Sequence, residues 1–254
     1  MGYKMCLDKA KKFKKKDVFM TQDEFYGLLE LRGLVLNEVQ KGQFHRFFEL
    51  LVEWNQRMNL TGITDESEVY AKHFYDSLDP FLEMDMLVVK TVCDIGTGAG
   101  FPGIPLAIAY PDVQFDLIDS LGKRIDFLNF CIKELGMANV KAIHVRAEEF
   151  ATEKRESFDL VTSRAVARLH ILAELCAPLV KVGGWFVTLK GPTGHAELVE
   201  AKQGPSKLGL THKKTKNASI AEVGERVNIY FEKTAWTPRK YPRQFGQIKK
   251  KPLV

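Results

Sequence analysis

Apolar positions fall into two regimes along this chain. Over residues 21–58 they recur at three- and four-residue steps, with Phe44, Phe47, Phe48, Leu51 and Trp54 on one stripe, the pattern of helices that bury one face. Asn59-Leu60-Thr61-Gly62 ends that run, and a further helix is predicted over Glu66 to Leu78. From Met86 onward, short apolar runs near 88–95, 113–118, 140–145, 158–162 and 184–190 alternate with helical periods. Such alternation predicts a parallel sheet covered on both faces. Two last strands are expected near 208–214 and 226–232. In the helix after residue 119, Ile125, Leu128, Ile132 and Leu135 form the buried stripe, with Ser120 as N-cap and Gly136 as the stop. No internal repeat is visible.

The sharpest change of pattern is at residues 91–105. The apolar run through Val92, Cys93 and Ile95 meets three alternating glycines, Gly96, Gly98 and Gly100, and a helical stretch, Leu106 to Ala109, follows. A buried strand, a glycine turn and a helix in that order let backbone approach a ligand where a Cβ would collide. Gly98, Gly100 and Gly103 also satisfy G-x-G-x-x-G, with Asp119 about twenty residues on, as in nicotinamide-binding folds. Pro102 and Pro105 argue against a pyrophosphate, because each removes an N–H donor where the helix should present one. S-adenosylmethionine carries no phosphate and suits the turn better, with Asp119 at the tip of the next strand facing its ribose. The plain alternative is an ordinary strand–turn–helix with glycines for tight packing.

Further blocks narrow the choice. Asp119-Ser120-Leu121-Gly122-Lys123-Arg124, Arg146-Ala147-Glu148-Glu149-Phe150 and Ser163-Arg164-Ala165 resemble the RsmG (GidB) family of 16S rRNA guanine-N7 methyltransferases. Trp54-Asn55, Asn59-Leu60-Thr61, His73 and Asp76-Ser77 resemble it too, so the likeness runs from roughly residue 40 to residue 235. It implies an α/β chain with the Rossmann-like fold of class I S-adenosylmethionine-dependent methyltransferases: a central, mostly parallel seven-stranded sheet with an N-terminal helical extension. It implies cofactor contacts at Gly96 and Phe101 in the glycine turn, at Asp119, at Ala147 and Glu148 flanking the adenine, and at Arg164 closing the pocket; Gly98 and Gly100 of the same turn are further cofactor-binding candidates. The substrate it implies is N7 of a guanine in the decoding-site-proximal loop of 16S rRNA, in the small subunit or an assembly intermediate. Guanine N7 has an in-plane lone pair and no proton, so no catalytic acid or base is expected. Two other readings are a nicotinamide-dependent oxidoreductase and a non-catalytic assembly factor with a vestigial pocket.

Composition adds limits. With 254 residues the chain can bury one large core plus a helical appendage. No apolar run reaches membrane-spanning length and no secretory h-region opens the chain, so a cytoplasmic monomer is expected. Cys6, Cys93, Cys131 and Cys176 show no ligand spacing, and neither do the histidines, so no metal is expected. The net charge of +5 is uneven: residues 1–16 carry seven lysines and one aspartate, and residues 237–254 carry six cations and no acid. Residues 1–20 read as a disordered basic leader, optional or mis-assigned, because Met20-Thr21 looks like a natural start with Thr21 as a helix cap. Residues 21–85 read as helices packed on a main domain, 86–235 as that domain, and 236–254 as a basic aromatic tail. In the tail Trp236, Tyr241 and Phe245 alternate with Arg239, Lys240 and Arg243, which suits stacking on unpaired bases. Candidate RNA contacts are thus His73, Lys123, Arg124, Arg239, Tyr241 and Arg243. Lys123 and Arg124 sit in a helix first turn, where the dipole disfavours cations and an anion nearby is expected.

Overall fold

Two capping boxes open the helical region. Thr21 and Glu24 bond reciprocally at the start of α1 (Gln22–Leu31), and Asn37 and Gln40 do so at α2 (Glu38–Met58), satisfying amides that a helix start leaves orphaned. Gly33, at φ +87°, ends α1 by letting Leu34 N–H reach back to the Leu29 carbonyl. These are features of a computed structural model that describes residues 20–164, 166–220 and 224–254. Residues 1–19 of the expected basic leader (1–20) lie outside the described residues.

The apolar stripe of α2 does what its spacing predicts. Phe44, Phe47 and Leu51 are fully buried, Phe47 meets Phe101 at 5.5 Å between ring centres, and Trp54 meets Phe127 at 5.5 Å. Polar contacts fix the register: Gln40 Nε2 donates to the Ile108 and Ala109 carbonyls at the end of α5 (Gly103–Ala109), and Gln43 Nε2 donates to the Leu135 carbonyl. Burying aromatic side chains of this size contributes roughly 2–3 kcal/mol each, which holds the helices on the sheet domain.

The helix expected over 66–78 is not regular. It starts as α3 (Glu66–Val69), widens into a π-helical turn (Tyr70–Tyr75) and returns as α4 (Asp76–Leu78). The wider turn brings the Lys72 carbonyl, His73 and Asp76 to one side, where all three meet Arg164.

Seven strands then form one sheet in the order β3-β2-β1-β4-β5-β7-β6: β1 (Thr91–Ile95), β2 (Gln114–Asp119), β3 (Val140–His144), β4 (Phe158–Arg164), β5 (Val180–Lys190), β6 (Leu210–Ile220) and β7 (Gly224–Lys233). The first five are parallel, and β7 runs antiparallel to both β5 and β6. All seven expected strands are present. The first starts later than predicted, because Leu87 and Val88 are exposed at 85% and 69% and belong to a loop. The last two are longer than predicted, because they pair with each other over their whole length.

Helices α6 (Gly122–Glu134), α7 (Ala147–Glu153), α8 (Leu169–Cys176), α9 (Gly194–Ala201), α10 (Gly204–Lys207) and α11 (Phe245–Lys250) complete the fold. Gly136 ends α6 as expected, at φ +63°. Ser120 does not cap it: Leu121 holds the cap position, and its N–H is taken by Asp119 Oδ1 at 2.9 Å. Strand order reverses between β1 and β4, and a crevice opens there outside the carboxyl ends of the strands.

Candidate functional site

The crevice is a cleft of about 650 Å³ whose wall runs across the tips of β1, β2, β3 and β4. Its floor is the turn after β1. Gly96 and Gly98 adopt φ of +65° and +63°, which side chains rarely tolerate. A Cβ on Gly96 would come within 2.4 Å of Val166 Cγ2, whereas one on Gly98 would meet only the Gly96 carbonyl at 4.0 Å, so the turn leaves space at Gly98. Gly100 is different. It does not line the cleft, and a Cβ there would strike Ile104 at 2.6 Å and Leu128 at 3.0 Å. Its role is to seat α5 against α6, which corrects its assignment as a ligand contact.

The turn's donors are nearly all engaged. Gly96 and Thr97 N–H donate to the Ile118 carbonyl, Gly98 N–H to Asp119 Oδ2 at 3.0 Å, and Gly100 and Phe101 N–H to the Thr97 carbonyl. Gly103 N–H donates to Asp94 Oδ2, and Ile104 N–H to the Gly100 carbonyl. From Gly96 to Ile104, therefore, only the Ala99 amide has no partner among the described residues, Pro102 having no N–H to give. A diphosphate needs several free amides at such a turn. The turn can offer close backbone approach and one donor.

Asp119, buried at the tip of β2, ties the wall together. It accepts from Gly98 and Leu121 N–H and from Arg124 Nη1 at 3.1 Å. Arg124 thus finds its anion in the protein, while Lys123 is exposed. A carboxylate has about four acceptor sites, so one on Oδ1 remains for a ligand. Ala147 and Glu148, at the start of α7, line the far end of the cleft with Leu175 and Phe245.

Arg164, at the tip of β4, faces the N-terminal helices. Its Nη1 donates to Asp76 Oδ2 at 3.2 Å and to the Lys72 carbonyl, its Nη2 meets His73 Nδ1 at 3.2 Å, and its guanidinium lies 4.8 Å from the centre of the Phe101 ring. The acidic partner of Arg164 is Asp76, which the π-helical turn carries to the strand tip. Asp76 also accepts from Arg226 Nε at 2.9 Å, across from β7. Burial, reinforced by Arg164, lowers the His73 pKa to about 3 and leaves the ring neutral. His73 stacks on Phe101 at 4.5 Å.

Below the turn, Asp94 is fully buried, with Oδ1 unpaired among the described residues. Burial pushes its carboxyl up to about 7.

The C-terminal segment departs from the sequence reading. Tyr241 is buried, and Arg243 binds Glu174 through Nε at 2.8 Å and Nη2 at 2.6 Å. The Glu174 side chain is itself fully buried, so Arg243 neutralises an interior charge and the Tyr241 ring has no free face for a base. Arg155 Nη1 donates to the Tyr241 carbonyl at 2.8 Å, and buried Lys233 donates to Thr237 Oγ1 at 2.6 Å, so the segment is stitched to the sheet domain. Arg239 and Trp236 stay exposed. Missed from the sequence were Thr61, Phe245 and Arg226 as parts of the site or its support. Thr61 stands within the Asn59-Leu60-Thr61 block, but nothing in the spacing marks Arg226.

The model of the family described as "rRNA small subunit methyltransferase G" matches residues 40–226. The chain belongs to the rRNA small subunit methyltransferase G family. A relative of that name from Brevibacillus brevis is 50% identical over 238 residues, covering 92% of this chain and 100% of the relative. One from Exiguobacterium sp. is 49% identical over 238 residues with the same coverage. One from Staphylococcus epidermidis is 50% identical over 228 residues, covering 89% of this chain and 95% of the relative. The mostly parallel seven-stranded α/β sheet agrees with the architecture expected from the sequence. No helix among the described residues is long and apolar enough to cross a membrane, and no cluster of potential metal ligands occurs among them.

Proposed function

We propose that the protein transfers a methyl group from S-adenosylmethionine, held in the strand-tip cleft, to N7 of a guanine in the decoding-site-proximal loop of 16S rRNA. Hydrogen bonding in the glycine turn carries this reading over the dinucleotide one. With one free amide from Gly96 to Ile104, the turn cannot cradle a diphosphate, but it can take one carboxylate oxygen while Gly98 leaves room for backbone approach.

The bound donor supplies an electrophilic methyl on sulfur. Ala99 N–H would hold its amino-acid end, Asp119 Oδ1 a ribose hydroxyl, and Ala147 and Glu148 the adenine. Phe245, on the far wall, would cover that end. Arg164 is saturated on the side facing Asp76, His73 and Lys72, so its role is to position Phe101 and the π-helical turn against the reacting atoms.

No residue here needs to act as a base, because guanine N7 attacks through a lone pair that bears no proton. His73 is unsuited to such a role, since its ring is neutral, its Nδ1 faces an arginine N–H, and its Nε2 lies 2.8 Å from Thr61 Oγ1. Rate enhancement comes from alignment of nucleophile, methyl and sulfur in a cleft with fixed dipoles. In an A-form duplex N7 lies in a groove too deep and narrow to enter, so the base must reach the cleft from a loop or after extrusion. Arg239 and Trp236, exposed on the C-terminal segment, and Lys123 beside the cleft are the proposed RNA contacts.

Calorimetry should show binding of S-adenosylmethionine and none of a nicotinamide dinucleotide; the reverse pattern rejects the reading. Mapping of N7-methylguanine in small-subunit rRNA from cells with and without the gene tests the substrate. A methyl mark that persists without the gene removes it.

A further inference from the structure

Hydrogen-bond directions around His73 single out a residue that the chemistry above leaves unused. A guanidinium only donates, so the 3.2 Å approach of Arg164 Nη2 to His73 Nδ1 requires a lone pair on Nδ1. The ring is neutral, so its single proton sits on Nε2. Nε2 lies 2.8 Å from Thr61 Oγ1 and donates to it. The Ile63 amide donates to the same oxygen at 3.0 Å. Both lone pairs of the Thr61 hydroxyl are then filled, and its proton has no acceptor among the described residues. Thr61 is half-buried and lines the cleft with His73, Phe101 and Arg164. The relay from Arg164 through His73 therefore makes the hydroxyl an obligatory donor on the side of the cleft next to β4.

We infer that Thr61 donates a hydrogen bond to O6 of the target guanine and so aims the neighbouring N7 at the methyl donor. The inference rests on the reading of the cleft as a guanine-N7 methylation site. O6 and N7 are adjacent acceptors on one edge of guanine. A donor held by O6 leaves the N7 lone pair free, whereas a donor on N7 would block the nucleophile. Adenine presents an amino group where guanine has O6, so the same hydroxyl would face a donor and reject it. Thr61 is in this sense a positioning and specificity residue; it carries no proton to or from the reacting atoms.

The test pairs a protein change with a base change. Wild-type protein and the variants Thr61→Val and Thr61→Ala would be assayed on small-subunit rRNA carrying either guanine or 2-aminopurine, which lacks O6, at the methylated position. Because each variant is compared with wild type on the same base, differences in intrinsic N7 reactivity cancel. On guanine the variants should lose about tenfold in kcat/KM, the scale of one buried hydrogen bond. On 2-aminopurine they should match wild type, and Thr61→Ser should recover most of the loss on guanine. S-adenosylmethionine binding by calorimetry should not change. Equal losses on both bases, or weakened donor binding in place of weakened RNA turnover, overturn the inference. Absence of any N7 methylation by the wild type is a different failure: it is seen before Thr61 is altered and removes the underlying reading.

Discussion

Replacing Asp76 by asparagine removes the carboxylate that Arg164 and Arg226 share while keeping the side chain's shape. Asp76 is 5% exposed, and it holds Arg164 Nη1 at 3.2 Å and Arg226 Nε at 2.9 Å. The three groups sum to +1; the variant raises that to +2 with the guanidinium of Arg164 still inside. Removing one partner of a buried pair costs about 3–5 kcal/mol. Arg226 can relax toward solvent, its side chain being 25% exposed, so the lower end, about 3 kcal/mol, is expected. Arg226→Gln should cost about 1 kcal/mol or less, because Asp76 keeps Arg164. The pair of changes together should be no worse than Asp76→Asn alone, since losing Arg226 restores the charge of +1. Urea unfolding of the four proteins at neutral pH, with the slope m checked for constancy, measures all three quantities. A loss under about 1 kcal/mol for Asp76→Asn, or strictly additive losses in the double variant, would refute the claim that this carboxylate compensates two cations.

Three more predictions concern other parts of the molecule. Asp94 has its pKa raised from the usual carboxylate value of 3.8 to about 7, so the folded state binds the proton more tightly than the unfolded one. Its contribution is complete below pH 4 and is lost as pH rises to 7, by up to about 4 kcal/mol; the stability difference between wild type and Asp94→Asn should therefore shift in the variant's favour from pH 5 to pH 8, and a pH-independent difference would show that Asp94 stays ionised. Arg243→Ala strands the buried Glu174 carboxylate and should lower stability by about 3 kcal/mol, with the salt dependence of RNA binding unchanged; Arg239→Ala should do the opposite, and a reduced salt slope for Arg243→Ala would return that arginine to the RNA surface. Gly98→Ala places a methyl at a turn with φ +63° and should weaken S-adenosylmethionine binding more than it lowers the melting temperature, whereas Gly100→Ala, facing Ile104 at 2.6 Å, should act mainly on stability; calorimetry beside thermal unfolding separates the two.

Local rules made much of this protein legible. Capping residues, glycine stops and apolar periods act within a few residues, so the strands, the α2 stripe and the Gly136 helix end could be read without coordinates. The glycine turn and Asp119 could be read together because strand, turn and strand tip are joined by short connections, and the family blocks supplied Ala147, Glu148 and Arg164. What escaped was pairing across long separations. Asp76 meets Arg226 from 150 residues away, and Arg243 meets Glu174 across 69. In a string of residues a tail arginine reads as a surface cation; only packing reveals that a fully buried carboxylate faces it. The same holds for Gly100, whose spacing matched a ligand turn but whose missing Cβ makes room for Ile104. Sequence alone determined which elements form and where the cleft opens, because both follow from periodicity and turn chemistry. Tertiary structure decided which charges are neutralised inside and which way each hydroxyl and ring proton points, since desolvation and hydrogen-bond direction exist only once distant segments touch.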